Sequence, residues 1–168
     1  VPPWLKSEIL IDNRQSMELA NGSKIKAGAT GSNATDAARS EALSLLIIDE
    51  AAFIKSMDGI WTAAQPTLST GGDCVVLSSP NGIGNWFHKQ YIEAEAGVSE
   101  RVGNKNISFN PINLPWNFHP DRDEEWARNE RKKIGDQAFA QEHDCDFLQS
   151  GNNVVSLKAL SWYEEHPT

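Results

Sequence analysis

Leu43 to Ile54 reads LSLLIIDEAAFI: four consecutive apolar residues, Leu45 to Ile48, stopped by two carboxylates, Asp49 and Glu50. A short apolar run bounded by polar residues predicts a strand buried on both faces, as in a parallel sheet. Acids at its carboxyl end would face the crevice where open α/β sheets place their ligands. This is the form of a Walker B strand, in which the aspartate serves Mg²⁺ and the next acid orients or deprotonates the attacking water. A plainer reading stands beside it: Asp49 and Glu50 start a short helix over 51–54, where acids suit the helix dipole.

Downstream, residues 58–66 read as a helical piece, with Ile60, Trp61, Ala64 and Leu68 as its apolar stripe. Gly71-Gly72 turns the chain. Asp73 to Gly82, DCVVLSSPNG, then reads as a second strand that stops in small polar residues, with Pro80 ending the ladder. Two strands joined by a helix imply a right-handed crossover, which puts both strand ends on one edge of a parallel sheet. Ser78 and Ser79 are thereby expected near Asp49 and Glu50.

Upstream, Asn21-Gly22 between SMEL and KIKA predicts a hairpin with strands at 15–20 and 23–28. Gly28 to Thr35 is rich in small residues but lacks G-x-x-x-x-G-K-S/T, so it reads as a loop and not as a phosphate cradle. Residues 36–42 suit a short helix, and Arg39 lies on it as a solvated arginine or as one presented to a phosphate site.

Beyond the second strand, a helix is expected over 84–96 with Gly97 as its C-cap. A strand over 106–114 is kinked or at an edge because of Pro111. Asp121 to Ile134 forms a helix with acids first and bases last. Gly135 breaks it, and Asp136 to Leu148 forms another. His119 has no ligand partner at useful spacing and reads as structural.

The bulk numbers fit a single soluble domain. The chain has 168 residues, 39% hydrophobic, with a net charge of −8 and a mean hydropathy of −0.47. The acidic balance argues against a dedicated nucleic-acid domain, which would carry a basic patch. No apolar stretch approaches the ~18 residues of a membrane span. Cys74 and Cys145 lack metal or CxxC spacing and read as reduced thiols. Val1 is not an initiator methionine, so a processed chain or a piece of a longer one is expected.

The ordered set LLIIDEAAFI, Trp61-x-x-x-Gln65-Pro66, LSSPNG (Leu77 to Gly82) and WFHKQY (Trp86 to Tyr91) resembles the large terminase subunit of tailed bacteriophages. The later series Trp116, Pro120, Trp126, Gly135, Phe139, Gln141-Glu142, Phe147 and Ser150-Gly151 agrees, as does NGSKI upstream. The resemblance implies an α/β chain: an incomplete three-layer P-loop NTPase core of the RecA-like type with a helical C-terminal subdomain. Residues 1–150 would be the later portion of an ATPase domain, Walker B onward, without Walker A. Residues 151–168 would begin the linker to a nuclease domain absent from the chain.

The function implied is ATP-driven packaging of viral double-stranded DNA into a procapsid, in the host cell cytoplasm, with ATP and Mg²⁺ as cofactors. Asp49 matches the Mg²⁺-linked acid, Glu50 the water-activating glutamate, and Ser78-Ser79-Pro80 the motif coupling hydrolysis to movement, with Ser78 and Ser79 at the nucleotide. Arg39, eleven positions before Glu50, resembles an arginine that reaches a neighbouring subunit's ATP, although Ser40 stands where glycine is usual. Implied partners are double-stranded DNA, the portal protein, the small terminase subunit and further copies in a ring. With no Walker A loop, the isolated chain is expected to be inactive. Other readings are a DExx-type helicase, a non-catalytic interaction fragment in which Asp49 and Glu50 only cap a helix, and an RNase H-like nuclease. The nuclease would need a second strand-borne acid.

Overall fold

The computed structural model describes residues 6–28, 43–68, 71–102 and 105–148. Arg39, the predicted helix over 36–42 and the predicted linker from 151 lie outside the described residues.

The centre is a parallel pair. β4 (Leu45–Ile48) runs beside β5 (Asp73–Val76), with Leu45 opposite Asp73 and Ile48 opposite Val76. Helix α1 (Met57–Leu68) connects them and covers one face. The expected βαβ unit is therefore present. Its helix runs past Pro66 to Leu68, because proline removes one donor without stopping a helix that is already packed. Met57, Ile60, Trp61, Ala64 and Leu68 join Ile48, Ala51 and Trp86 in the core, while Leu46, Cys74 and Val76 pack against them.

The strand is not buried on both faces as its sequence predicts. Leu45, Ile47, Val75 and Leu77 are 43–60% exposed. Side chains alternate across a strand, and α1 covers only one of the two faces. An apolar run records what a strand can bury, and among the described residues no element covers the other face. The predicted helix over 51–54 is one 3₁₀ turn, Ala51–Phe53.

The N-terminal hairpin is a three-stranded antiparallel sheet, β1 (Ile9–Asp12), β2 (Ser16–Leu19) and β3 (Lys24–Lys26). β1 adds to the two predicted strands. It turns into β2 where Asn13 Oδ1 accepts from the Gln15 and Ser16 amides, both at 3.0 Å.

Helix α2 (Trp86–Glu95) follows the β5 exit and ends at Gly97, whose φ of 68° suits glycine. The Val98 amide donates to Glu93 and the Gly97 amide to Ala94, a Schellman closure. The strand expected over 106–114 is reduced to β7 (Lys105–Ile107), antiparallel to β6 (Glu100–Val102). From Ser108 to Leu114 no regular element forms. Phe109 nevertheless reaches Trp61, ring centre to ring centre 5.5 Å.

Helices α3 (Glu124–Ile134) and α4 (Asp136–Glu142) pack on each other beyond this segment. α4 stops at Glu142, short of the predicted Leu148, and Cys145 takes a φ of 56°. Trp116, Trp126, Phe139 and His143 form a second apolar cluster, with Phe139 fully buried. Asp144 binds it together, accepting from Trp116 Nε1 at 3.0 Å and from Arg131 Nη2 at 3.2 Å. Phe147 carries the contact back to α2 through Phe87, His88 and Tyr91. Among the described residues, no helix is long and apolar enough to cross a membrane, and both cysteines are unbridged.

Candidate functional site

The parallel register decides where the polar strand ends meet. Because Ile48 lies opposite Val76, the segments after them, 49–53 and 77–82, leave the sheet side by side. Leu77 donates its amide to the Ile48 carbonyl at 2.9 Å, and Ala51 donates to the Leu77 carbonyl at 3.2 Å. The structure thus brings Asp49, Glu50, Ser78 and Ser79 to one sheet edge. It places nothing for Arg39, which lies outside the described residues.

Asp49 and Glu50 are both exposed. One Asp49 carboxylate oxygen accepts from the Glu50 amide at 2.9 Å, which orients the group and leaves its other oxygen for a ligand. Glu50 has φ 55° and ψ 39°, the left-handed helical region. For a residue other than glycine, asparagine or aspartate this is uncommon and costs roughly 1–2 kcal/mol. The next residues hold it there. The Phe53 amide closes the 3₁₀ turn on the Glu50 carbonyl at 2.9 Å, and Ala51 and Ala52 are buried.

Ser78 is half-buried, and its hydroxyl works on backbone. Oγ accepts from the Ala52 amide at 3.1 Å and donates to the Ser79 carbonyl at 2.8 Å. Asn81, to which the sequence assigns no role beyond its place in the LSSPNG stretch, donates Nδ2 to the Ala52 carbonyl at 3.2 Å. Asn85 extends the set. Its Nδ2 donates to the carbonyls of Asn81 (2.9 Å) and Gly82 (3.2 Å), while its Oδ1 accepts from the His88 amide at 3.0 Å and caps α2. Asn85 was findable as an N-cap before an apolar helix. Asn81 carried no such local signal, because its partner is 29 residues away.

The donor set fits Mg²⁺ in one way. Among the described residues, no three His, Cys, Asp or Glu side chains converge. Mg²⁺ keeps several waters and needs only one or two carboxylates when substrate phosphates supply the rest. An exposed aspartate with one free oxygen suits that mode. Behind the edge, burial pushes the Cys74 thiol up to about 11, so it stays protonated and packs as an apolar side chain.

Residues 3–161 match the family profile described as "Terminase large subunit, T4likevirus-type, N-terminal". Among solved structures, the large terminase ATPase domain of Thermus phage P74-26 superposes with a TM-score of 0.57 at 24% identity, covering 84% of this chain and 63% of that one. An arginine-to-alanine mutant of the same domain gives 0.57 at 23%, covering 84% and 64%. At these identities the likeness is one of fold, and the chain spans less than two thirds of either solved domain.

Proposed function

The chain belongs to the N-terminal family of T4likevirus-type large terminase subunits, and on that premise we propose that it forms part of an ATP-hydrolysing motor that packages viral double-stranded DNA into a procapsid. The observation that carries this reading is the shared edge of β4 and β5, where the residues just after Asp49 and Glu50, Ala51 and Ala52, are tied to the Leu77 carbonyl and to Ser78 Oγ. A mixed α/β fold shared with a terminase ATPase domain supports it.

In this reading the core is RecA-like, and residues 1–150 are its portion from Walker B onward, followed by the start of a linker. Asp49 holds Mg²⁺ through water with its free carboxylate oxygen. Glu50, carried forward by its left-handed backbone, orients the attacking water and accepts its proton. Held at Asp49, Mg²⁺ would supply neutralisation of the charge that develops in phosphoryl transfer. Ser78 and Ser79 lie at the nucleotide and couple its state to the sheet edge, and Arg39 serves a neighbouring subunit's ATP in a ring. Portal protein, small terminase subunit and double-stranded DNA are the motor's partners.

The phosphate cradle must come from outside these 168 residues, which contain no G-x-x-x-x-G-K-S/T. The uncovered apolar face of Leu45, Ile47, Val75 and Leu77 supports a sheet that continues with further elements. Alone, the chain is therefore expected not to hydrolyse ATP. The test is Mg²⁺-dependent binding of a fluorescent ATP analogue to the intact large subunit bearing this sequence. Asp49→Ala is expected to weaken it about tenfold or more, while binding without Mg²⁺ stays the same. Equal Mg²⁺ dependence in the two proteins would remove Asp49 from the metal site and leave a helix cap in its place.

A further inference from the structure

We propose that Asn81 is a positioning residue for Glu50: its side-chain amide, by holding the Ala52 carbonyl, keeps the acid in its left-handed backbone at the sheet edge. The inference rests on the role proposed above for Glu50 and gives a role to Asn81, which lies in the LSSPNG stretch but to which the motif reading assigns none.

Three ties meet in the two residues after Glu50. The Ala51 amide is held by the Leu77 carbonyl at 3.2 Å, and the Ala52 amide by Ser78 Oγ at 3.1 Å. The Ala52 carbonyl is held by Asn81 Nδ2 at 3.2 Å. Ala52 thus has both its backbone groups bonded to side chains of the β5 exit. Ala51 and Ala52 are only 1% and 6% exposed, so water is a poor substitute for a lost partner.

A strained φ persists only where its surroundings over-determine it. Of the three ties, the Leu77 one is a continuation of the ladder, and the Ser78 one fixes only the amide. Asn81 fixes the carbonyl of the same peptide plane whose Phe53 amide closes on the Glu50 carbonyl, so it anchors from the β5 exit the plane that folds back on Glu50. Asn81 is itself fixed, because Asn85 Nδ2 binds the Asn81 carbonyl at 2.9 Å while Asn85 Oδ1 caps α2. A continuous hydrogen-bonded series therefore runs from the carboxylate loop through Ala52, Asn81 and Asn85 to the first turn of α2.

The test uses the intact large subunit bearing this sequence, with steady-state ATP turnover and affinity for a non-hydrolysable ATP analogue as readouts. Asn81→Asp keeps the shape and replaces the donor by an acceptor facing the Ala52 carbonyl. It is expected to lower kcat about 10- to 100-fold while KM and analogue affinity move less than about threefold. Added to Glu50→Gln, it is expected to cause no further loss, because the residue it positions is already disabled. Asn81→Ala carries the same expectations if Asn81→Asp does not fold.

A kcat within about twofold of wild type, or a full further loss in the Glu50→Gln background, overturns the inference. So does the loss of folding in both Asn81 variants, which would assign the residue to the fold and not to Glu50. If Glu50→Gln alone leaves turnover intact, the proposed function fails as well. If Glu50→Gln abolishes turnover and Asn81→Asp does not lower it, only the positioning role fails.

Discussion

Glu50 combines the chemical role proposed for it with a backbone that its side chain disfavours. At φ 55° it sits where glycine would be relaxed. Glu50→Gly should therefore release roughly 1–2 kcal/mol of strain, less the ~0.4–1 kcal/mol that glycine adds to the unfolded chain's freedom. Urea unfolding of the chain should show a net gain of about 0.5–1 kcal/mol, and a loss of similar size would mean that the left-handed conformation carries no strain. Cys74 gives a second prediction at this scale. Its thiol is pushed by burial from 9.0 to about 11, so the folded state keeps a proton that the unfolded chain releases first. Cys74 therefore supports the fold fully below pH 9, and that support declines as pH rises from 9 toward 11. Unfolding curves across that window should fall less steeply in Cys74→Ala, and iodoacetamide at pH 8 should label Cys74 only slowly. An equal slope in the two proteins would contradict the assignment.

The elements depend on close approach and on caps. At Gly72, which leads into β5, a Cβ would run into the Leu43 carbonyl oxygen. Gly72→Ala should cost ~2 kcal/mol or more, since backbone on both sides must shift, whereas Gly59→Ala, with open space around it in α1, should stabilise slightly. Thermal unfolding of the two variants separates these outcomes, and similar midpoints would refute the close contact. The parallel pair and its helical crossover were legible in the sequence because each is announced locally: Leu45 to Ile48 by apolarity, its end by Asp49 and Glu50, α1 by the spacing of Ile60, Trp61 and Ala64. β6 and β1 were not legible. They are three and four residues long and are defined by partners across a turn rather than by their own composition. The tie from Asn81 to Ala52 was hidden for a related reason, since it joins residues 29 apart with no periodic pattern. The exposure of Leu45 and Ile47 was equally unreadable, because a sequence shows that a residue is apolar and not what lies over it.

At the scale of the molecule, two apolar clusters are linked by aromatic side chains. The first surrounds Trp61 under the parallel pair, and the second surrounds Phe139 between α3 and α4. Phe147 reaches from the end of the second region onto α2, which begins at the candidate site. Phe139 is fully buried against Trp116, Trp126 and His143, with Arg131 stacked 4.2 Å over its ring. Phe139→Ala should cost ~3–5 kcal/mol by circular-dichroism unfolding. A loss below ~1 kcal/mol would mean that the helical region contributes little to the fold.

The central claim is that Glu50 activates water at the edge shared by β4 and β5. Its most direct test is steady-state ATP turnover by the intact large subunit bearing this sequence, with and without Glu50→Gln. The change keeps the size of the side chain and removes its basicity. The account predicts a fall in kcat of about 100-fold or more, with nucleotide affinity retained. Turnover at the wild-type rate would contradict it, leaving Asp49 and Glu50 as the polar end of a strand.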